Sequence, residues 1–216
     1  MSTAVSERPR RRLKPEQRRE LILDSALQAF SELGYHAASV DAMARGAGTT
    51  KAVIYDHFAS KRELYEAVVL RELRLAFEVM EAAARDASDF PERLRAFLRA
   101  FFAHNRDRPH ASRIMLETVD AGPAVGDWQR RTQSRATAAI AAQLAEAGLL
   151  AGHPDRELAL EMVAQMLKTA LNGLVEWWHY YPDVPLDVVV DRATSFLMGA
   201  LAGVSEGATP GKPGAA

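Results

Sequence analysis

Residues 39–58, SVDAMARGAGTTKAVIYDHF, constrain the fold more than any other stretch, because two short helical patterns meet there across a glycine-broken turn. Ser39 stands at an N-cap position with Asp41 in the first turn, and Val40, Met43 and Ala44 supply one buried face at helical spacing. Gly46 and Gly48 end that helix. Thr49 is positioned to cap a second one, in which Ile54 and Phe58 lie four apart and share a face, while Ala47 closes the gap between the two helices. The spacing predicts a helix-turn-helix whose second helix reads DNA. At roughly 100° per residue, the face opposite Ile54 carries Thr49, Ala52, Val53 and Asp56, with Tyr55 to one side and Thr50 and His57 to the other.

The chemistry of that outer face narrows what it can recognise. Ala52 and Val53 offer only methyl groups, whose favourable base partner is the thymine C5-methyl. Asp56 is repelled by phosphate. If it faces a base it can only accept a hydrogen bond, which favours the cytosine N4 amino group; the other reading is an ion pair with a neighbouring Lys or Arg.

The longer run GYHAASVDAMARGAGTTKAVIYDHFASKREL, residues 34–64, closely resembles the signature of TetR-type bacterial transcriptional regulators, in which a Gly-Tyr corner precedes the helix-turn-helix and a Tyr-x-His-Phe-x-x-Lys run closes it. With the helix before it, the resemblance covers some 50 residues; the rest of the chain is similar in length and helical pattern. It implies a first domain that binds palindromic operators and a second that dimerises and binds a small molecule, which usually releases the DNA. It also implies that Tyr55 and Lys61, at matching motif positions, touch phosphates. Ser39, Thr49, Thr50, Lys51, Ala52, Val53, Tyr55, His57 and Lys61 therefore make up the expected DNA-binding set. A neutral His57 can donate an N–H to phosphate without a charge, and Thr49 and Thr50 can serve as cap, contact or both. Ala52 and Val53 depart from the frequent Gly and Thr, and Asp56 from a usually aromatic or polar residue.

Charge is distributed as this reading requires. The net charge is -1, yet residues 1–62 hold 11 Lys+Arg against 7 Asp+Glu, leaving 16 against 21 for the remainder. A basic front suits phosphate. Five basic residues lie between Arg8 and Lys14, in a segment flanked by Pro9 and Pro15; it reads either as an arm that follows a phosphate backbone or minor groove, or as a solvated terminus. The chain has no cysteine, so disulfide and thiolate chemistry are excluded. Its longest apolar run, Phe196 to Val204, is about half a bilayer span. The expectation is a cytoplasmic, nucleoid-associated protein without a secretion signal.

Helical periodicity organises the rest. Residues 16–34 form the first helix of the DNA-binding bundle, with Gly34 as C-cap and Arg18 and Arg19 near its start. Ser60 and Glu63 form a capping box for a long helix to about Ala87, striped by Leu64, Val68, Leu75, Val79 and Ala83. Helices follow at 90–105, 111–120, 128–147, 156–180 and 187–204. The last two are the most apolar: Leu158, Met162, Met166, Ala170 and Leu174 read as the buried face of one, while Gly199 and Gly203 permit close approach in the other. Their pairing with symmetry mates in a four-helix interface predicts a homodimer. The expected architecture is all-α: a flexible basic arm at 1–15, a DNA-binding domain at 16–62, a ligand-binding and dimerisation domain at 63–205, and a disordered tail at 206–216.

For a small-molecule effector, by type apolar or aromatic, the candidate lining is Phe97, Phe101, Met115, Trp128, Met166, Asn172, Glu176 and Trp177, with Asn172 and Glu176 as polar hooks and Glu117 as another. Taken one by one, the same residues read as ordinary core sooner than as ligand contacts. Enzymatic classes find little support: there is no nucleophile elbow, HExxH or glycine-rich phosphate loop, and the six histidines lack metal-ligand spacing, so no cofactor or metal is expected. A helical interaction scaffold explains the apolar helices but not the basic front, and an effector-independent or nucleoid-associated DNA binder remains the nearer alternative. The expectation is a repressor released from a palindromic operator by its effector.

Overall fold

The computed structural model describes residues 14–116 and 123–206, all helices and short connections with no strand among them: α1 (Pro15–Ala37), α2 (Val40–Gly46), α3 (Lys51–His57), α4 (Lys61–Ala84), α5 (Phe90–Asp107), α6 (Pro109–Leu116), α7 (Pro123–Glu146), α8 (Arg156–Tyr180) and α9 (Leu186–Glu206). Residues 1–13 of the segment expected as a basic arm, Glu117 and the tail from 207 lie outside the described residues, while Lys14 caps and Pro15 opens α1, and Glu206 ends α9. No described helix is long and apolar enough to cross a membrane. The chain divides into two compact units, one ending at Leu70 and the other starting at Arg71.

In the first unit, α1 begins with Pro15, whose missing N–H costs nothing at that position, and breaks at Gly34, the one residue inside it with non-helical angles (φ 73°). Ile22, Leu23, Ala26 and Phe30 of α1 are buried, as are Met43, Ile54, Phe58, Leu64 and Tyr65. Three rings close one end of this core: Tyr65 meets Phe30 and Tyr35 edge-on at 5.2 and 5.4 Å, and Phe30 stacks on Tyr35 at 5.9 Å. The α1–α2 contact is tight. A Cβ added at Gly46 would stand 2.3 Å from Ser25 Oγ, and that hydroxyl donates to the Met43 carbonyl at 2.9 Å.

The turn between α2 and α3 corrects one expectation. Gly48, at φ 60°, donates to the Arg45 carbonyl while Thr49 N–H donates to Ala44, a paired helix ending that uses Thr49 in the turn. The cap of α3 is therefore Thr50, whose Oγ1 accepts from Val53 N–H at 3.4 Å. Ser60 caps α4 as its spacing predicts, accepting from Glu63 N–H, and the Glu63 carboxylate accepts from Ala59 N–H at 2.7 Å.

In the second unit the buried side of α4 differs from the expected stripe. Val79 is half exposed and Ala83 exposed; the inward face runs instead through Glu72, Ala76, Met80 and Ala84 at steps of four. Glu72 is fully buried because two arginines hold it: Arg71 Nε lies 2.9 Å from Oε1, and Arg108 Nη2 lies 2.6 Å from Oε2. A carboxylate with cations on both oxygens can occupy an apolar stripe. α5, α8 and α9 share a core of Leu98, Phe102, Val175, Trp178, Val190 and Leu197, with the Trp178 indole N–H donating to the Val184 carbonyl at 2.8 Å. α7, α8 and α9 share another, from Leu144, Leu160, Val163, Ala164 and Leu201. α7 starts at Pro123 rather than Trp128: proline is tolerated in a first helical turn, and Gly126 lies inside the helix.

On α8 most of the expected inward face proves to be outward, while Leu174 does pack against the core. Leu158, Met162 and Met166 are each more than half exposed, and Leu160, Val163 and Ala164 face the core. Both sides of α8 are apolar, so periodicity alone did not distinguish them. Phe196 of α9 is likewise 65% exposed, and among the described residues nothing beyond the local turns of α9 lies within 4 Å of where a Cβ on Gly199 or Gly203 would stand, so the close approach expected at those glycines is not made among them.

Candidate functional site

The outer surface of α3 follows from its single buried residue, Ile54. Ala52 and Asp56 sit roughly opposite it and are exposed, Tyr55 is 44% exposed, Thr50 and Lys51 are exposed, and Thr49, Val53 and His57 are half-buried. The expected DNA-binding residues of α3 are thus all at least partly exposed, with Ala52 and Asp56 farthest from the core. Ser39 is exposed at the start of α2, and its hydroxyl makes no capping hydrogen bond.

Several charges on that surface already have internal work. Lys51 Nζ lies 2.9 Å from Asp41 Oδ2, a bond that raises the lysine's pKa and ties α3 to α2. Lys61 Nζ donates to the His36 carbonyl at 3.1 Å and sits 4.9 Å over the Tyr35 ring, and burial lowers its pKa. Two of its three N–H donors are left for an outside acceptor. Arg18 donates to the Gly48 carbonyl and Arg19 lies over Phe58, so both arginines brace the helix-turn-helix. Asp56 has no ion-pair partner among the described residues.

The second unit holds a cavity of about 140 Å³. α4 lines it with Leu73, Ala76, Phe77 and Met80; α5 with Phe97, Phe101, His104 and Asn105; α6 with Met115 and Leu116; α7 with Gln133, Ala136, Ala139, Ile140 and Gln143; and α8 with Lys168, Leu171 and Asn172. A wider cleft of about 710 Å³ between α7 and α8 shares Met115, Leu116, Gln133, Lys168 and Asn172 with it and adds polar groups including Arg130, Thr137, Glu161, Gln165 and Glu176. An apolar chamber thus meets a polar one at Lys168. His104 is buried beside Arg108, and its Nε2 has no hydrogen-bond partner among the described residues; burial first, then the Arg108 charge, lower its pKa.

Of the candidate ligand residues, Phe97, Phe101, Met115 and Asn172 come together at the cavity, and Glu176 lies in the cleft. Trp128, Met166 and Trp177 line neither. Met166 and Trp177 belong to the outward side of α8, where Trp177 stacks on Tyr181 at 4.8 Å. The α4 contribution and Lys168 were missed. The signal for Lys168 was present: it is the one charged residue between Glu161 and Glu176.

Residues 22–68 match the family model described as bacterial regulatory proteins, tetR family. The chain is 30% identical over 194 residues to the HTH-type transcriptional activator FasR of Mycolicibacterium smegmatis, covering 89% of this chain and 87% of the relative. Among solved structures it resembles a TetR-like transcriptional regulator from Rhodococcus sp. RHA1, with a TM-score of 0.69 and 25% identity over 89% of this chain and all of the other. It also resembles FadR from Bacillus subtilis, solved in complex with stearoyl-CoA, with a TM-score of 0.67 and 19% identity over 87% of this chain and 98% of the other, a likeness of fold.

Proposed function

Since the chain belongs to the TetR family of bacterial transcriptional regulators and is a DNA-binding regulator, we propose that it acts as a homodimeric repressor released from a palindromic operator by a small, largely apolar effector. One observation carries the effector reading: Leu73, Ala76, Phe77 and Met80 of α4 wall the apolar cavity, and the same continuous helix begins with Lys61 and the first unit's core residues Leu64, Tyr65 and Val68. An effector that favours one position of α4 over another is therefore coupled through that helix to the DNA-reading surface. The effector shifts the equilibrium only as far as it prefers the non-binding state, and operator DNA must weaken effector binding by the same factor.

On DNA, Tyr55, His57 and Lys61 serve phosphates, with Ser39, Thr49, Thr50 and Lys51 beside them, and Ala52 and Val53 meet thymine methyls. The outward faces of α8 and α9, with Leu158, Met162, Met166 and Phe196 exposed, form the dimer interface. Paired recognition helices then serve half-sites about 34–36 Å apart. Activation is the second reading, supported by the name of the M. smegmatis relative.

A genome-fragment binding selection at near-physiological salt tests the core of the proposal, and a reporter behind the recovered site separates repression from activation. A recovered palindrome is the expected result. Salt-sensitive binding without sequence preference would overturn the operator reading, and effector affinity unchanged by saturating operator would overturn the release mechanism.

A further inference from the structure

We propose that the effector is an organic anion, with a compact apolar body in the cavity and an acidic head received by Lys168. The inference rests on the effector reading above and adds to it the chemical class of the ligand. Lys168 Nζ stands where the apolar chamber meets the polar cleft and donates to three neutral oxygens: Thr137 Oγ1 at 2.7 Å, and the Gln133 carbonyl and Gln133 Oε1 at 3.2 Å each. No carboxylate pairs with it among the described residues.

The surrounding charges do not neutralise it. Glu161 and Glu176 line the cleft but are exposed and form no ion pair with Lys168, and Arg130 is paired with Asp127. An ammonium half-withdrawn from water without a counter-charge is costly, and the cost is relieved when an anion arrives. Gln133 Oε1 is the replaceable partner, because it belongs to a side chain at the mouth of the same cavity. A ligand oxygen taking its place turns a neutral acceptor into a charge-assisted one. The chamber bounds the other end of the ligand: about 140 Å³ is close to the size of an engineered apolar cavity of on the order of 150 Å³ that holds benzene. The apolar body is therefore a single ring or a short alkyl chain.

The test uses three probes of eight carbons each, octanoate, octyl phosphate and 1-octanol, titrated calorimetrically into the full-length protein and its Lys168→Gln and Lys168→Arg variants. A carboxylate or a phosphate head satisfies the same cation, and the first two probes distinguish them. The expected result is binding of at least one anion to the wild type, weakened roughly 10- to 100-fold in Lys168→Gln and largely restored in Lys168→Arg, while 1-octanol binds both variants like the wild type. Circular dichroism melts of the variants, matched to the wild type, exclude misfolding as the cause. Anion binding that survives in a folded Lys168→Gln protein, or preference for the alcohol, overturns the inference and leaves the effector reading standing. No binding by any probe overturns this inference, while the effector reading is judged separately by operator release against neutral and cationic compounds.

Discussion

Removing the Glu72 carboxylate tests the account of how α4 is held. In Glu72→Ala the Arg71 guanidinium, 6% exposed at its side chain, loses the carboxylate, and Arg108 loses its acceptor in the same step. Breaking a buried ion pair by deleting one partner costs about 3–5 kcal/mol. Arg108 is 41% exposed and recovers part of its solvation, so the lower end, about 3 kcal/mol, applies. For a chain of this length each kcal/mol corresponds to roughly 2–4 °C in Tm, giving a drop of about 6–12 °C. Glu72→Gln keeps the shape and one acceptor oxygen and is expected to fall between the two proteins. Thermal unfolding followed by circular dichroism and calorimetry reads both variants. A Glu72→Ala protein melting within 2 °C of wild type would refute the reasoning, since it would mean the carboxylate contributes no more than a surface charge.

Three other outcomes follow from the same geometry. Gly46→Ala drives a methyl into Ser25 Oγ and is expected to destabilise the first unit by about 1–3 kcal/mol, and adding Ser25→Ala should recover part of the loss; a double variant no more stable than Gly46→Ala in chemical denaturation contradicts this. Asp56→Ala is expected to lose discrimination at a cytosine position in a binding selection, and unchanged base preferences would exclude base contact by Asp56. His104 has a folded pKa below its ordinary 6.5, so the unfolded chain binds more protons between the two values; its contribution to stability is complete above 6.5 and is lost as pH falls toward the folded value. Arg108 opposes its protonation, while Glu72 and Asp107 favour it. A His104→Asn protein should show a shallower loss of stability on acidification, and an unchanged acid limb would refute the assignment.

The helix-turn-helix was legible because short-range rules decide it: glycines end α2, and Ile54 and Phe58 at a spacing of four orient α3. Thr50 displaced Thr49 as cap because the paired bonds that end α2 extend one residue further than a glycine pattern alone shows. Longer-range packing was harder to read. Arg71 and Glu72 look like a polar interruption of α4, yet the carboxylate is neutralised by an arginine 36 residues away, and so the cavity wall from Leu73 to Met80 went unseen. On α8 two apolar faces compete, and only the positions of α7 and α9 decide which one turns inward.

The outward face of α8 also has a chemical consequence. Met162 and Met166 are 57% and 58% exposed, and oxidation of their thioethers to sulfoxides would turn an apolar stripe into a polar one. If the proposed interface forms on this face, a chain oxidised while alone would carry a wetter face and pair less readily, whereas a chain already paired would shield the same sulfurs from peroxide. Dilution and oxidant would then act in the same direction, and the sulfur chemistry of two neighbouring turns would preserve a record of whether a protomer was alone when the oxidant arrived.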